Sequence, residues 1–231
     1  MTKKLADSTY LVLVRHAVTD WNDEYRFQGH ADTPLNDEGR AVIAPVIDAV
    51  RSWGPAALYS SDLLRAREMA EAAGKALGLN VNPSEDLREC SYGKWEGKTL
   101  EEIREKYAGE LEQWRSNEAG YARGGGEALE EMQARSWARL ESIADSHPGE
   151  VVALFTHSGP IRGAVCRIFD LSISDRYRFQ VDNGSLTVLR RSPKGLWQLV
   201  LLNQTVHLGE RAPTVSPVAS MESDQAREVE R

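Results

Sequence analysis

Two apolar runs that each lead to a histidine constrain the fold of this chain most strongly. Tyr10–Val14 reads YLVLV and Glu150–Phe155 reads EVVALF. Continuous apolar runs of this kind are typical of strands buried on both faces of a parallel sheet. After one further residue, the first run is followed by His16 and the second by His157. Because ligands bind at the carboxyl ends of strands in open α/β sheets, the two imidazoles would share one crevice if these strands are neighbours.

Helical periodicity alternates with short apolar runs along the rest of the chain. The spacing of apolar residues, the N-cap candidate Asn36, the stop at Gly78 and the capping box that begins at Thr99 predict helices over 36–53, 62–77, 99–107, 127–146 and 159–169. Further strands are predicted over 57–59, 176–181, 185–191 and 196–202. This order predicts an α/β fold, a three-layer sandwich whose central sheet is mostly parallel with an antiparallel edge and has helices on both faces.

Composition and charge exclude several classes of protein. The chain has 231 residues, of which 41% are hydrophobic and 27% are charged, as in ordinary globular proteins. Cys90 and Cys166 are isolated, which gives no support to a disulfide framework or a zinc site and favours the reducing cytoplasm. The first apolar run is too short for a membrane span, so no membrane partner is expected. A formal net charge of −7 speaks against nucleic acid as a partner, although a local basic pocket can still attract anions.

A change of composition near residue 209 divides the chain. Residues 209–231 are rich in Pro, Ser, Glu and Arg without periodicity, and we expect a disordered C-terminal tail there. Residues 1–208 are expected to form one domain.

Three further residues are candidates for the chemistry of such a crevice. Arg65 lies in the first turn of the helix that follows strand 57–59, where free N–H groups and a guanidinium together suit phosphate; alone, it would be an ordinary solvated arginine. Together with Arg15 and the two imidazoles it would form a cradle for a dianion. Glu89 lies in an otherwise apolar and aromatic stretch that suits a general acid, or it forms a salt bridge with Arg88 or another arginine.

Other motifs fail on their spacing. The segment 93–99 resembles a P-loop but has three residues between its glycines where four are needed. The GxGxxG, HExxH and GxSxG patterns are absent from the sequence, so no cofactor and no metal is called for.

Several motifs in register resemble those of a known family. Leu13–Asn22 reads LVRHAVTDWN and is followed by RFQG at 26–29 and DTPL at 32–35. Segments 60–66, 87–97, 125–127, 156–162 and 183–186 continue the match in the same order. Over about residues 10–205 the chain resembles the histidine phosphatase (phosphoglycerate-mutase-like) superfamily. Its pattern is most similar to alpha-ribazole phosphatases and broad-specificity phosphatases.

The resemblance implies a role for each matching residue. His16 would be the nucleophile that accepts the phosphoryl group. Glu89 would protonate the leaving alkoxide and then activate water. The remaining catalytic residues, Arg15, Arg65 and His157, would bind the phosphoryl oxygens, and substrate contacts would come from Asn22, Gln28, Gly29 and Ser158.

Three positions depart from the family pattern. Ala17 stands where Gly usually follows the nucleophile, and it would be strained if that position needs a positive φ. Val18 stands where many members have Glu, and Ser158 stands where many have Gly. Near Val18 and Ser158, the family pattern therefore does not predict the contacts with the substrate.

The predicted function is metal-independent hydrolysis of a small-molecule phosphomonoester through a phosphohistidine. The main alternative is a cofactor-dependent phosphoglycerate mutase, although Glu89 and His157 are only 68 positions apart and mutases carry a longer insertion there. A non-catalytic phospho-ligand binder, supported only by Ala17, is the second alternative. A small helical cap over about 95–125 would select the leaving group, with Trp95, Trp114 and Tyr121 as candidates for its wall. The sequence also allows a homodimer.

Overall fold

A single six-stranded sheet organises the molecule. The computed structural model describes residues 7–211. The strands are β1 (Thr9–Arg15), β2 (Ala57–Ser61), β3 (Val81–Ser84), β4 (Val151–Thr156), β5 (Leu186–Arg191) and β6 (Trp197–Gln204). Their order across the sheet is β3-β2-β4-β1-β5-β6. The first four in this order run parallel, whereas β5 is antiparallel to both of its neighbours. The predicted mostly parallel sheet with an antiparallel edge is confirmed.

The α-helices of the described residues connect and cover the strands. They are α1 (Asp20–Asp23), α2 (Asp37–Ala41), α3 (Ile43–Trp53), α4 (Leu64–Leu77), α5 (Leu100–Lys106), α6 (Ala108–Ser116), α7 (Leu129–Ser146) and α8 (Ser158–Ile168). Asn36 caps α2 by accepting the backbone N–H of Gly39, and Thr99 forms the predicted capping box with Glu102 at the start of α5. The left-handed Gly78 ends α4, as its position in the sequence predicts.

Alternate side chains of the central strands enter two separate cores. Val12 and Val14 of β1 pack with residues of α3 and α4 on one face of the sheet. Leu11 and Leu13 pack with residues of α7 and α8 on the other face. This alternation follows from the two-residue period of a strand, and it produces the predicted three-layer sandwich.

The register of the parallel strands brings three carboxyl ends to one level. Arg15, the last residue of β1, pairs with Thr156, the last residue of β4. On the other side of β4, Ser60 pairs with Phe155. The residue after each pair continues the same edge, so His16, His157 and Ser61 lie close together.

Two predicted elements differ from the structure, and one strand of the sheet was not predicted. Segment 176–181 is not a strand, because Ile173–Arg178 forms a 3-10 helix and the chain then runs to β5 without entering the sheet. The predicted helix 36–53 divides at Val42 into α2 and α3. Strand β3 is absent from the prediction because its sequence, VNPS, contains a proline and no alternation of apolar residues; an edge strand tolerates both.

The segment that contains α5 and α6 has an apolar cluster of its own. Trp95, Ile103, Leu111 and Trp114 are its buried members. The division into a domain of 1–208, with a cap over about 95–125, and a tail stays a prediction. Of the tail, residues 212–231 lie outside the part of the chain that the structure describes. Within residues 7–211, no helix has the length and apolarity needed to span a membrane.

We expect the centre of the sheet to contribute most to stability. Phe155 in β4 is fully buried, whereas Phe169, beyond the end of α8, is 51% exposed. Phe155→Ala should lower the free energy of unfolding by about 3–5 kcal/mol because it leaves a cavity, and Phe169→Ala should lower it by about 1 kcal/mol or less. Urea unfolding followed by circular dichroism measures both values. Equal losses in the two variants would contradict the assignment of the core.

Candidate active site

The two histidines that follow β1 and β4 face each other across the carboxyl edge of the sheet. Their ring centroids are 5.2 Å apart and their planes are inclined by 59°. His16 is 4% exposed and His157 is fully buried. The backbone N–H of His16 donates to the carbonyl of Thr156 at 2.9 Å, which ties the first histidine to the end of β4. The structure therefore brings together the two imidazoles that the sequence placed at separate strand ends.

The surroundings of His16 fix its protonation. Burial, followed by the charges of Arg65 and Arg15, holds the pKa of His16 well below its usual value, so the ring is neutral near pH 7. Nδ1 lies 2.7 Å from the carbonyl oxygen of Ala17. A carbonyl only accepts hydrogen bonds, so Nδ1 carries the single ring proton and donates it there. The lone pair is then on Nε2, which is the state that a nucleophile requires.

His157 is also neutral, and Ser61 orients it. Burial and the charge of Arg65 hold the pKa of His157 well below its usual value. The Ser61 hydroxyl lies 2.8 Å from Nε2 of His157 and accepts the backbone N–H of Leu63. When the hydroxyl donates its proton to Nε2, the ring proton is on Nδ1, which is buried and has no partner among the described residues. From the sequence, Ser61 was only a candidate cap of the following helix and part of the matched segment 60–66. Its place at the end of a strand is the signal that could have indicated its contact with His157.

Arg15 and Arg65 supply positive charge to the same place. Arg15 donates through Nη1 to the carbonyl of Val181 at 2.6 Å, and Arg65 donates to the carbonyls of Gly29 and Ala31, each at 2.8 Å. Burial lowers the pKa of each guanidinium to about 10, so both stay charged near pH 7. Within residues 7–211, neither forms an ion pair with a carboxylate. Buried guanidiniums without counter-ions favour an anionic ligand.

Two side-chain amides at the pocket have their oxygen atoms already engaged. Oδ1 of Asn22 accepts from the backbone N–H of Thr19 at 3.0 Å, and Oε1 of Gln28 accepts from the hydroxyl of Thr33 at 2.9 Å. Both residues line the pocket. The amide groups that remain are N–H donors, which suit the oxygens of a phosphoryl group.

Gly29 completes this side of the pocket with an unusual backbone conformation. Its φ is +53°, and a Cβ there would lie 2.3 Å from Oε1 of Glu96. Glycine is therefore needed for the carbonyl of residue 29 to reach Arg65.

Glu89 is held by three donors at the opposite side of the pocket. Oε1 accepts the N–H of Cys90 at 2.9 Å, and Oε2 accepts the N–H of Gly159 and the hydroxyl of Ser158, each at 3.1 Å. The alternative of a salt bridge from Glu89 to Arg88 or another arginine is wrong, because Arg88 pairs with Asp62 and no arginine among residues 7–211 forms an ion pair with Glu89. Ser158, which departs from the family pattern, thus adds a side-chain hydrogen bond to the carboxylate.

All nine predicted site residues lie within this region, and every one except His157 lines the pocket itself.

Ala17 is accommodated without backbone strain. It is fully buried. Its φ angle is not positive, unlike those of Tyr25 and Asn203. Its N–H approaches Sδ of Met69 at 3.1 Å. The strain that a glycine requirement would have imposed on Ala17 is therefore not present.

The wall of the pocket differs from the prediction. Trp95 and Trp114 are buried in the apolar cluster of the α5–α6 segment, and Tyr121 packs against it, so the prediction that they form the wall is wrong. Aromatic side chains that do line the pocket come from segments 21–27, 92 and 177. Four further residues line the pocket without having been predicted from the sequence: Arg123, Arg162, Arg176 and Tyr177. The last two belong to the 3-10 helix Ile173–Arg178, which overlaps the predicted strand 176–181.

The described residues offer no cluster of side chains for a metal. Among residues 7–211, no group of three or more His, Cys, Asp or Glu side chains is arranged to hold an ion. The positive charge at the site comes from arginines instead.

Comparison with known proteins agrees with this arrangement. The histidine phosphatase superfamily (branch 1) matches residues 11–205. Phosphoserine phosphatase 1 of Hydrogenobacter thermophilus is 30% identical over 200 residues, which cover 87% of this chain and 94% of the relative. Phosphoglycerate mutase-like protein 4 of Arabidopsis thaliana is 33% identical over 207 residues, covering 88% and 89%.

Solved structures show the same fold. The native mycobacterial glucosyl-3-phosphoglycerate phosphatase superposes with a TM-score of 0.76 at 29% identity, over 86% of this chain and 100% of that one. YhfR of Bacillus stearothermophilus superposes with a TM-score of 0.80 at 29% identity, over 87% and 99%. The fold is shared with these proteins, and the matched segment spans most of the chain and contains both histidines and both buried arginines. The chain therefore belongs to branch 1 of the histidine phosphatase superfamily.

Proposed function

We propose that the chain hydrolyses small phosphomonoesters without a metal, with His16 as the nucleophile. The observation that carries the proposal is a neutral His16 with a free Nε2 in a pocket that also contains the guanidiniums of Arg15 and Arg65. Both guanidiniums are charged, and neither forms an ion pair with a carboxylate among the described residues. Such a site attracts a phosphoryl dianion and presents a lone pair to it. Membership of the histidine phosphatase superfamily supports the same reaction.

The first step transfers the phosphoryl group to the enzyme. Nε2 of His16 forms a bond to phosphorus while the bond from phosphorus to the leaving oxygen breaks. Arg15, Arg65 and the Nδ1–H of His157 bind the oxygens of the phosphoryl group and stabilise its charge in the transition state. Glu89, in its protonated form, gives its proton to the leaving oxygen, so an alcohol departs.

The second step returns the enzyme to its starting state. Glu89, now a carboxylate, accepts a proton from water while the water oxygen attacks phosphorus. The bond between phosphorus and Nε2 breaks, and inorganic phosphate leaves. Hydrogen bonds from Ser158 and Gly159 hold the side chain of Glu89 in place.

Relatives suggest the size and type of the substrate. Their names specify phosphoserine and glucosyl-3-phosphoglycerate, both small metabolites, and one relative in Arabidopsis thaliana is named a metal-independent phosphoserine phosphatase. Other relatives are named as phosphoglycerate mutase-like, which keeps the mutase as the second candidate. A cytoplasmic location and a homodimer stay predictions.

Replacement of the nucleophile tests the first claim. In EDTA, the protein should hydrolyse p-nitrophenyl phosphate, and His16→Ala should lower kcat at least ~10³-fold because no other group can form the phosphoenzyme. Phosphate release measures the rate.

A histidine outside the pocket provides the control. His147 contacts Tyr59 and Glu150 instead, and His147→Ala should change kcat less than about twofold. Turnover in His16→Ala equal to that of the unmodified protein would contradict the mechanism. Conversion of 3-phosphoglycerate to 2-phosphoglycerate that depends on 2,3-bisphosphoglycerate, seen by phosphorus NMR, would favour the mutase.

The leaving group tests the role of Glu89. Glu89→Gln should lower kcat about 10²–10⁴-fold for an alkyl phosphate, whose alkoxide must be protonated as it leaves. It should slow formation of the phosphoenzyme from p-nitrophenyl phosphate far less, because p-nitrophenolate leaves without a proton. Rapid-quench measurement of the first turnover separates this step from hydrolysis. An equal loss for both esters in that step would show that Glu89 does not act as the acid.

A further inference from the structure

The pocket holds more positive charge than one phosphoryl group requires. Six arginines line it: Arg15, Arg26, Arg65, Arg123, Arg162 and Arg176. Glu89 contributes the single carboxylate among the same lining residues. The mechanism uses Arg15 and Arg65, so the other arginines need a separate account.

Two of the remaining arginines already have acidic partners. Arg176 forms an ion pair with Glu118 at 2.6 Å. Arg26 pairs with Glu24 at 2.6 Å and with Glu102 at 2.9 Å. Their charges are largely compensated by the protein. Arg123 is 1% exposed, and its guanidinium packs against two aromatic rings, 4.3 Å from the centre of Tyr92 and 5.7 Å from that of Trp114.

Arg162 differs from the two ion-paired arginines because no carboxylate in the described part of the chain pairs with it. It is 7% exposed, and its Nε donates to the carbonyl of Phe179 at 2.9 Å. Its guanidinium lies 5.7 Å from the centre of the Tyr177 ring. The two Nη nitrogens have no hydrogen-bond partner among residues 7–211, so they remain for a ligand in the pocket.

The position of Arg162 on α8 places it on the leaving-group side. It is four residues after Ser158, so the two side chains lie on the same face of the helix, one turn apart. Ser158 donates to Glu89, the group that protonates the leaving oxygen. Ser158, Glu89 and Arg162 all line the same pocket, so Arg162 lies on the side from which the leaving oxygen receives its proton.

Arg162 is also close enough to Arg15 to repel it. After burial, the charge of Arg162 is the strongest influence that lowers the pKa of Arg15, and Glu89 and Asp182 offset it in part. The Asp182 carboxylate accepts from the amides of Gln180 and Asn203. Both guanidiniums are buried and line the same pocket, so they repel each other, and an anionic ligand between them relieves that repulsion.

We propose that Arg162 binds a carboxylate on the leaving group, and that the preferred substrates are phosphomonoesters of small hydroxy acids. A single fork with two free Nη nitrogens matches the charge and the planar geometry of one carboxylate, whereas a second phosphate dianion would call for another unpaired cation. The proposal rests on the proposed phosphatase activity and adds the chemical class of its substrate.

Pairs of esters that differ in the carboxylate test the assignment. We compare 3-phosphoglycerate with glycerol 3-phosphate, and phosphoserine with phosphoethanolamine, by kcat/KM in EDTA. The unmodified protein should prefer the carboxylate member of each pair by about 30- to 100-fold, the range expected for a hydrogen-bonded charge pair. Arg162→Gln should reduce this preference to less than about threefold.

Two further variants make the comparison specific. Arg167→Gln, at an exposed arginine on the same helix, should keep the full preference. Arg162→Lys, which keeps the charge without the fork, should give an intermediate preference, and it serves as the test if Arg162→Gln does not fold.

Each contrary outcome identifies what has failed. If the unmodified protein hydrolyses both members of each pair equally, or if its preference survives both Arg162 variants, the carboxylate subsite is overturned while the phosphatase stands. If it prefers a bisphosphate over the carboxylate esters and loses that preference in Arg162→Gln, the residue binds a second phosphate instead. If it hydrolyses no ester, including p-nitrophenyl phosphate, the proposed function itself has failed.

Discussion

The parallel pairing of β1 with β4 is the constraint on which the rest of the site depends. Both strands are buried on both faces, and their side chains alternate between two different cores. A slip of one residue would exchange the two faces, and a slip of two would move His16 about 7 Å along the strand relative to His157. The hydrophobic packing of the sheet therefore fixes the distance between the imidazoles. Helices supply Arg65 and Ser158 and a loop supplies Glu89, and these groups are arranged around the pair of histidines.

The site concentrates positive charge inside an acidic protein. Arg15 and Arg65 are buried without ionic partners, a state that costs stability in the folded chain. That cost is the physical basis for ligand affinity, because a phosphoryl dianion supplies the missing counter-charge where donors are already in position. The two histidines contribute to this balance by remaining neutral. If they were protonated near pH 7, His16 would have no lone pair on Nε2.

The sequence predicted those strands and helices that depend on interactions between residues close together in the chain. Apolar runs identified the central strands, and the caps at Asn36 and Thr99 marked the starts of helices. The catalytic candidates could be named because strand ends and family motifs point to the same residues. Contacts between distant segments could not be predicted in this way. The hydrogen bond from Ser61 to His157 joins residues 96 positions apart, and that from Ser158 to Glu89 spans 69 positions.

The wall of the pocket also could not be predicted from local sequence patterns, and there the predictions were wrong. Segment 176–181 has the composition of a strand, yet the 3-10 helix Ile173–Arg178 lies over α8 and carries Tyr177 to the pocket. Trp95 and Trp114 were predicted to line the wall because they are aromatic. In the structure they are buried in an apolar cluster with Ile103 and Leu111. Packing between distant segments determines both the 3-10 helix and the burial of the two tryptophans. Such packing cannot be predicted from the local pattern of a single sequence.

Identification of the phosphorylated residue tests the central claim most directly. The protein is mixed with p-nitrophenyl phosphate, quenched in base, where phosphohistidine persists, and digested for peptide mass spectrometry. The mechanism predicts that one phosphoryl group is found on the peptide containing His16, attached at Nε2. A phosphoryl group on another residue, or hydrolysis with none on the protein at any time during turnover, would contradict it.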